Sequence, residues 1–283
     1  MNGSLSLGQR RSVEAIAPPA GSDFYYASLY YPPAHRDTLH ALEAIRREIT
    51  RIPSTCSDRG VAHTKLAWWY DEFEQLESGT PRHDFTKALS VVMSDCQQYA
   101  KSFQTLVASV DSSLVPGTFD DRADVLDHLK GIHGEICVLM AGMGNGDERF
   151  EDQIVELSCL TELSYEMRGL RLHRNAPTLC LPQAALRRHG LTPDHIRSAV
   201  TSAELRQLIA DEMAWLQAAL AERLSALPRR TRRTIQMVAT LGMIQHRALT
   251  LCLADGCPVL EERIELTPLS KLAIAWRNRW IPW

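Results

Sequence analysis

Leu39-His40-Ala41-Leu42-Glu43-Ala44-Ile45-Arg46-Arg47-Glu48-Ile49 places apolar residues at 39, 42, 45 and 49, and Ile52 continues the series. Steps of three and four put these side chains on one face of an α-helix, and Pro53, which has no N–H to donate, ends it. The same period governs the chain outward from this stretch. Leu66, Trp69, Phe73 and Leu76 form the next stripe, closed by Ser78-Gly79-Thr80-Pro81. Phe85, Leu89, Val92, Met93, Phe103, Leu106 and Val110 carry the pattern toward Pro116-Gly117. Val125, Leu129, Ile132, Ile136, Leu139 and Met143 make a mostly apolar helix, in which Gly131 and Gly134 predict a close helix contact or a pocket wall. Ile154, Leu157, Leu160 and Leu163 follow, and residues 205 to 227 and 231 to 253 read as two long amphipathic helices separated by Pro228. No segment asks for a sheet and no internal repeat is visible, so the fold class predicted is all-α.

A length of 283 residues with 45% hydrophobic content and a formal charge of -3 describes an ordinary globular chain and gives no sign of nucleic acid as a partner. Seven cysteines stand at 56, 96, 137, 159, 180, 252 and 257 without a C-x-x-C pair. They read as small buried hydrophobes in a reducing compartment. The first twenty residues hold Arg10, Arg11, Glu14 and Pro18-Pro19 but no apolar run, which predicts a flexible tail over residues 1–21 rather than a signal peptide. No stretch approaches eighteen continuous apolar residues, so no membrane span is expected.

Several segments carry a family resemblance through their order and spacing. Phe24-Tyr25-Tyr26-Ala27-Ser28-Leu29, with Pro32 and Pro33 and then the helix quoted above, resembles the opening of the squalene/phytoene synthase family. Lys65-Leu66-Ala67-Trp68-Trp69 with Glu72, and then Gly79, Pro81 and His83, are similar to its second helix and the turn beyond. Gly131-x-x-Gly134-Glu135 stands where the family has an A-G-x-x-G segment, and Leu179-Cys180-Leu181-Pro182 resembles its Y-L-P. The match runs over roughly residues 22 to 200. It implies an isoprenoid synthase-like helical bundle around a central apolar cavity, with a domain over 22–270 and a Trp/Arg-rich tail over 271–283.

The resemblance also says what a working member needs, namely two aspartate motifs holding magnesium on a prenyl diphosphate. Magnesium takes hard oxygen ligands, and i, i+4 spacing puts two carboxylates on one helix face. With Arg47 aligned on the family's arginine, the outer aspartates of the first motif fall on Thr50 and Ser54, with Arg51 at the middle one and Pro53 interrupting. Counted back from Leu181-Pro182, those of the second motif fall on Gly169 and His173. Its usual asparagine and glutamine fall on Tyr165 and Glu162. Tyrosines that precede the A-G-x-x-G segment are replaced by Val125 and Asp127. No catalytic residue and no metal ligand is therefore assigned. Arg47, Thr50, Ser54, Tyr165, Gly169 and His173 are assigned to a vestigial substrate pocket. Two rescues are weighed: direct phosphate binding by Arg47, Arg51, Arg168, Arg171 and Arg174, against ordinary solvated arginines, and a displaced carboxylate pair at Glu162 and Glu166.

Other features are read beside these. Gly142-Met143-Gly144-Asn145-Gly146 follows a helix and lacks G-K-[ST], so it reads as a helix end and turn rather than a phosphate loop. His128, His133 and Glu135 have the wrong spacing for one face of a zinc site and read as structural. Arg229-Arg230-Thr231-Arg232-Arg233 reads as a solvated helix start or a contact for anionic lipid. Trp276, Trp280 and Trp283, among Lys271, Arg277 and Arg279, read as an interfacial anchor or as a packed terminal helix.

Three functional readings follow. The first is a non-catalytic binding or assembly factor, as the resemblance to homologues of a mitochondrial complex I assembly factor with degenerate motifs implies, holding an isoprenoid or lipid or a protein partner. The second is an active prenyltransferase on farnesyl or geranylgeranyl diphosphate, for which alone magnesium is expected. The third is a peripheral membrane protein. The expected location is the cytoplasm, with contact at the inner membrane in the third reading.

Overall fold

Ser22 accepts a hydrogen bond from the Tyr25 amide and so caps α1 (Asp23–Ser28). The computed structural model describes residues 17–142, 150–174, 178–198, 201–228, 231–232, 235–262 and 264–280. They fall in two units, Met1–Leu114 and Val115–Trp283.

In the first unit α1 leads into α2 (Pro33–Thr50), which starts on a proline whose missing N–H costs nothing at that position. Its buried face is Leu39, Leu42, Ile45 and Ile49, as the period predicts. The end is different. α2 stops at Thr50, and Pro53 sits in the first turn of a separate one-turn helix, α3 (Ile52–Thr55). α4 (Arg59–Glu77) buries Leu66, Trp69, Phe73 and Leu76 and closes at Ser78, after which Gly79 takes φ +76, a left-handed turn that favours glycine. The stripe expected from Phe85 to Val110 is broken into α5 (Asp84–Val92), a 3₁₀ turn at Cys96–Tyr99 and α6 (Ala100–Ser112). Phe73 and Phe103 stack across α4 and α6 with ring centres 4.8 Å apart.

Family-like segments of this unit do packing work. The Ser28 hydroxyl bonds Nε2 of buried His40 at 3.1 Å, fastening α1 to α2. Glu72, fully buried on α4, accepts from the amides of Arg82 and His83 at 2.8 Å each and from the Thr86 hydroxyl, all through Oε1. The His83 ring then caps α5 by accepting from the Phe85 amide at 3.1 Å. One carboxylate thus pins the Gly79-Thr80-Pro81-Arg82-His83 turn against α4. Burial alone would raise the Glu72 carboxyl. The Thr86 hydroxyl, the His83 and Arg82 amides and the Arg82 guanidinium outweigh it and hold the group below its ordinary range.

The second unit begins with α7 (Arg122–Gly142) and α8 (Glu151–Arg168), the most extensively packed pair in the chain. Gly134 permits their approach, since a Cβ there would lie 3.4 Å from Cγ1 of Val155, whereas Gly131 is exposed. A single turn, α9 (Leu170–His173), follows, then short α10 (Gln183–Arg188) and α11 (Pro193–Arg197). Long α12 (Ala203–Ala226) and α13 (Gln236–Ala254) pack on α8, and α14 (Pro268–Trp280) lies on α13. α13 is long and apolar enough by composition to cross a membrane, yet it packs against four other helices of this unit. Among the described residues no strand forms, and Phe119 and Pro182 share one isolated bridge. The fold is all-α, as expected from the sequence.

Two measurements probe these joints. Glu72→Ala leaves three donors without their acceptor and is expected to lower unfolding free energy by about 2 kcal/mol in urea titrations. Burial, with Arg36 nearby, lowers His40 to about 4, against an unfolded value near 6.5. The unfolded chain therefore takes up this proton first. Stability is expected to be fully present above pH 6.5 and to fall as pH drops toward 4, with His128 and His246, lowered by burial, adding in the same direction. His40→Gln should flatten that slope while lowering stability at pH 7.

Candidate functional site

The first-motif segment lies where α2 gives way to α3. Arg47 is exposed on the last turn of α2, and Thr50 ends the helix half-buried. Ser54 is exposed on α3, and its hydroxyl donates to the Arg51 carbonyl at 2.9 Å. Arg51, the cap between the two helices, pairs with Glu48 of α2. Proline at 53 has no N–H for the Ile49 carbonyl, so the helix is interrupted inside the motif. Thr50 and Ser54 therefore do not sit one turn apart on a single regular helix.

The second-motif segment is interrupted in the same manner. α8 ends at Arg168, Gly169 is its C-cap at φ -90 and ψ 8, and the chain restarts as α9. Tyr165 lies half-buried on the last turn of α8, and its carbonyl accepts from the Gly169 amide at 2.8 Å. His173 ends α9, and its side chain lies outside the described part. Tyr165 thus lies on α8, Gly169 at its C-cap and His173 on α9.

Two of the arginines considered for phosphate binding, Arg168 and Arg171, donate to acceptors within the second unit. Arg168 Nη1 donates to Oε1 of buried Gln245 on α13 at 2.7 Å, and Nη2 donates to the Ile264 carbonyl. Arg171 Nη1 donates to the Glu261 carbonyl at 2.9 Å. These two side chains bind the end of α8 and α9 to the strap after α13. Arg168 is half-buried in this tie, whereas Arg171 makes its bond at the surface. Arg174 is half-buried.

The acidic rescue fares no better. Glu162 and Glu166 lie half-buried one turn apart on α8. Among the described residues no three His, Cys, Asp or Glu side chains gather as a metal would require. The donor set of Thr50, Ser54, Gly169 and His173 does not fit magnesium, which prefers charged oxygen.

Within the second unit a cleft of about 230 Å³, mouth included, is lined in part by Val125, Leu163, Met167, Cys180 and Trp215. That figure includes open solvent, and the space a water could occupy is about 10 Å³, far below an ordinary small-molecule pocket of roughly 300 Å³ upward. Its polar edge is a two-bond ion pair from Arg122 Nε and Nη2 to Glu212 at 2.9 and 2.8 Å, with the guanidinium 4.3 Å from the centre of the Trp215 ring. The sequence reading passed over this pair. Its signal is Glu212, an acid set in the apolar stripe of Leu205, Leu208, Ile209, Met213 and Leu216. Burial pushes the Cys180 thiol far up, with Glu166 adding, so it stays protonated and is no nucleophile.

Of the remaining features, His133 is buried, and His128 packs on Phe119 with ring centres 5.0 Å apart. The stretch from Met143 to Gly146 lies outside the described residues, as do residues 1–16 and Trp283. Arg229, Arg230 and Arg233 do too, while Arg232 donates to the Leu224 carbonyl at 2.7 Å.

An all-helical chain with these segments in this order defines the isoprenoid synthase class. A sequence profile described as squalene/phytoene synthase matches residues 17–270, and the chain belongs to that family. Its fold resembles the squalene synthase HpnC from Alicyclobacillus acidocaldarius (TM-score 0.69, 19% identity, 89% of this chain and 97% of that one). It also resembles a dehydrosqualene synthase solved with ligand (0.79, 14%, 96% and 95%). YisP from Bacillus subtilis subsp. subtilis strain 168 is a third such structure (0.60, 13%, 95% and 94%). No curated protein sequence matches significantly.

If Arg168 is a tie and Arg47 is not, Arg168→Met is expected to cost about 2 kcal/mol of stability, because Gln245 and the Ile264 carbonyl lose their donor. Arg47→Met should stay within about 0.5 kcal/mol. Paired denaturation curves of the two variants check this.

Proposed function

We propose that this chain is a squalene/phytoene synthase-like protein that has left metal-dependent condensation behind and serves as a binding or assembly factor. The carrying observation is that both motif segments lack carboxylates at all four outer positions and that each helix ends inside its motif. In this family's chemistry a divalent ion stabilises the departing diphosphate, a contribution of several kcal/mol, or about a thousandfold or more in rate. Side chains of Thr, Ser, Gly and His supply no charged oxygen to hold it. Function follows the site rather than the fold.

Two further parts of the reading rest on the family. By family register Arg47, Thr50, Ser54, Tyr165, Gly169 and His173 are kept as vestigial substrate residues, with an isoprenoid or lipid tail bound without turnover and a protein partner as the alternative cargo. The cytoplasm, including the inner membrane surface, is the place proposed for it. The competing reading is an active prenyltransferase on farnesyl or geranylgeranyl diphosphate, and what favours it is family membership itself.

Purified protein incubated with farnesyl or geranylgeranyl diphosphate and magnesium is expected to release no diphosphate above a protein-free control and to form no condensed product by mass spectrometry. Turnover that disappears in Arg47→Ala would overturn the proposal.

A further inference from the structure

α14 is amphipathic in the reverse of the usual sense. Lys271, Ala275 and Asn278 form its buried face. The Asn278 amide nitrogen donates to Thr240 Oγ1 at 2.7 Å and to the Gln236 carbonyl at 3.2 Å, so a polar seam fixes this face on α13. Leu269, Ala273, Trp276 and Trp280, spaced by four, three and four, run down the opposite face into solvent. Leu269 is 77% exposed, Trp276 49% and Trp280 56%. A helix normally buries its apolar stripe. Here the stripe is offered outward while polar residues hold the helix in place.

We propose that this outer face of α14 docks on an anionic lipid surface. Charge selects the occupant. Arg277 and Arg279 lie on either side of the stripe, and the Arg279 guanidinium sits 5.0 Å from the centre of the Trp280 ring. Tryptophan favours the headgroup level of a bilayer, where its apolar body enters and its N–H stays wet. Arginines beside it meet lipid phosphate as forked donors. A second copy of the chain fits less well, because a two-fold contact sets a patch against itself and would bring these cations together. Thr267 and Pro268 define the start of the helix, the threonine hydroxyl accepting from the Ser270 amide at 3.3 Å, so the stripe is presented by a regular, capped element. This surface does not depend on the pocket or on loss of catalysis.

Co-sedimentation of the full chain with phosphatidylcholine vesicles, with and without about 30% phosphatidylglycerol, tests it. Binding is expected to the anionic vesicles, weakened by salt, with a blue shift of tryptophan emission. Trp276→Ser with Trp280→Ser, and separately Arg277→Glu with Arg279→Glu, should each reduce binding about tenfold. All four side chains are outside the buried face, so circular dichroism should be unchanged. Equal sedimentation of wild type and variants overturns the proposal, as does absence of binding by the wild type. A dimer by light scattering that Trp276→Ser converts to monomer, with vesicles ignored, would assign the stripe to a second copy instead.

Discussion

A guanidinium leaves water at lower cost where acceptors replace the ones it loses, and Arg168 finds two of them, its buried Nε going without, by spanning three segments of the second unit. Its two terminal nitrogens take the Gln245 amide oxygen and the Ile264 carbonyl. The end of α8, the middle of α13 and the strap leading to α14 are thereby fixed to one planar group. Arg171 repeats the tie one turn on, at the Glu261 carbonyl. The segment that by family register would hold a metal is instead a crossing point of the unit's own hydrogen bonds. Where α13 is held by Arg168 on one side and by Asn278 on another, the placement of α14 follows.

The family-like residues divide into two sets by what they contact. Phe24, Ser28, Glu72, Gly79 and His83 join helices, satisfy helix ends or permit a left-handed turn. Residues of this kind are needed by any chain that adopts the fold, whether or not it does chemistry. By the register on which the proposed function rests, Thr50, Ser54, Gly169 and His173 stand where charged oxygen would be offered. A sequence can satisfy the first set and fail the second without any cost to folding. That separation is why kinship with squalene synthases is compatible with a different task.

The helices were legible because their stripes at 39–49, 66–76 and 125–139 repeat every three or four residues, and a tertiary core reads the same period. The interruption at residues 93–95 was not, since Met93 keeps the apolar pattern while its backbone turns extended at φ -135 and ψ 98. Gly169 gave a visible hint, as glycine at a helix C-terminus often does. The roles of Arg168 and Arg171 were hidden because their acceptors lie 77 to 96 residues away in sequence. In α14 the period predicts a helix, yet hydropathy alone points its tryptophans inward. What turns them out is the polar seam on Gln236 and Thr240, a long-range contact with no local signature.

On the proposed reading, the absence of carboxylates at the motif positions and the presence of the arginine ties act in the same direction. A cation cage needs net negative charge, and a cluster of guanidiniums beside it raises the energy of any bound divalent ion. An aspartate placed at 169 would stand at the helix break in the same segment as Arg168 and Arg171, whose guanidiniums favour a carboxylate partner. Removing Arg168 to make room would free the strap on which α14 depends. On that reading, a metal site in this segment would have to be built beside guanidiniums already bonded to Gln245 and to the Ile264 and Glu261 carbonyls, so one added carboxylate would not suffice.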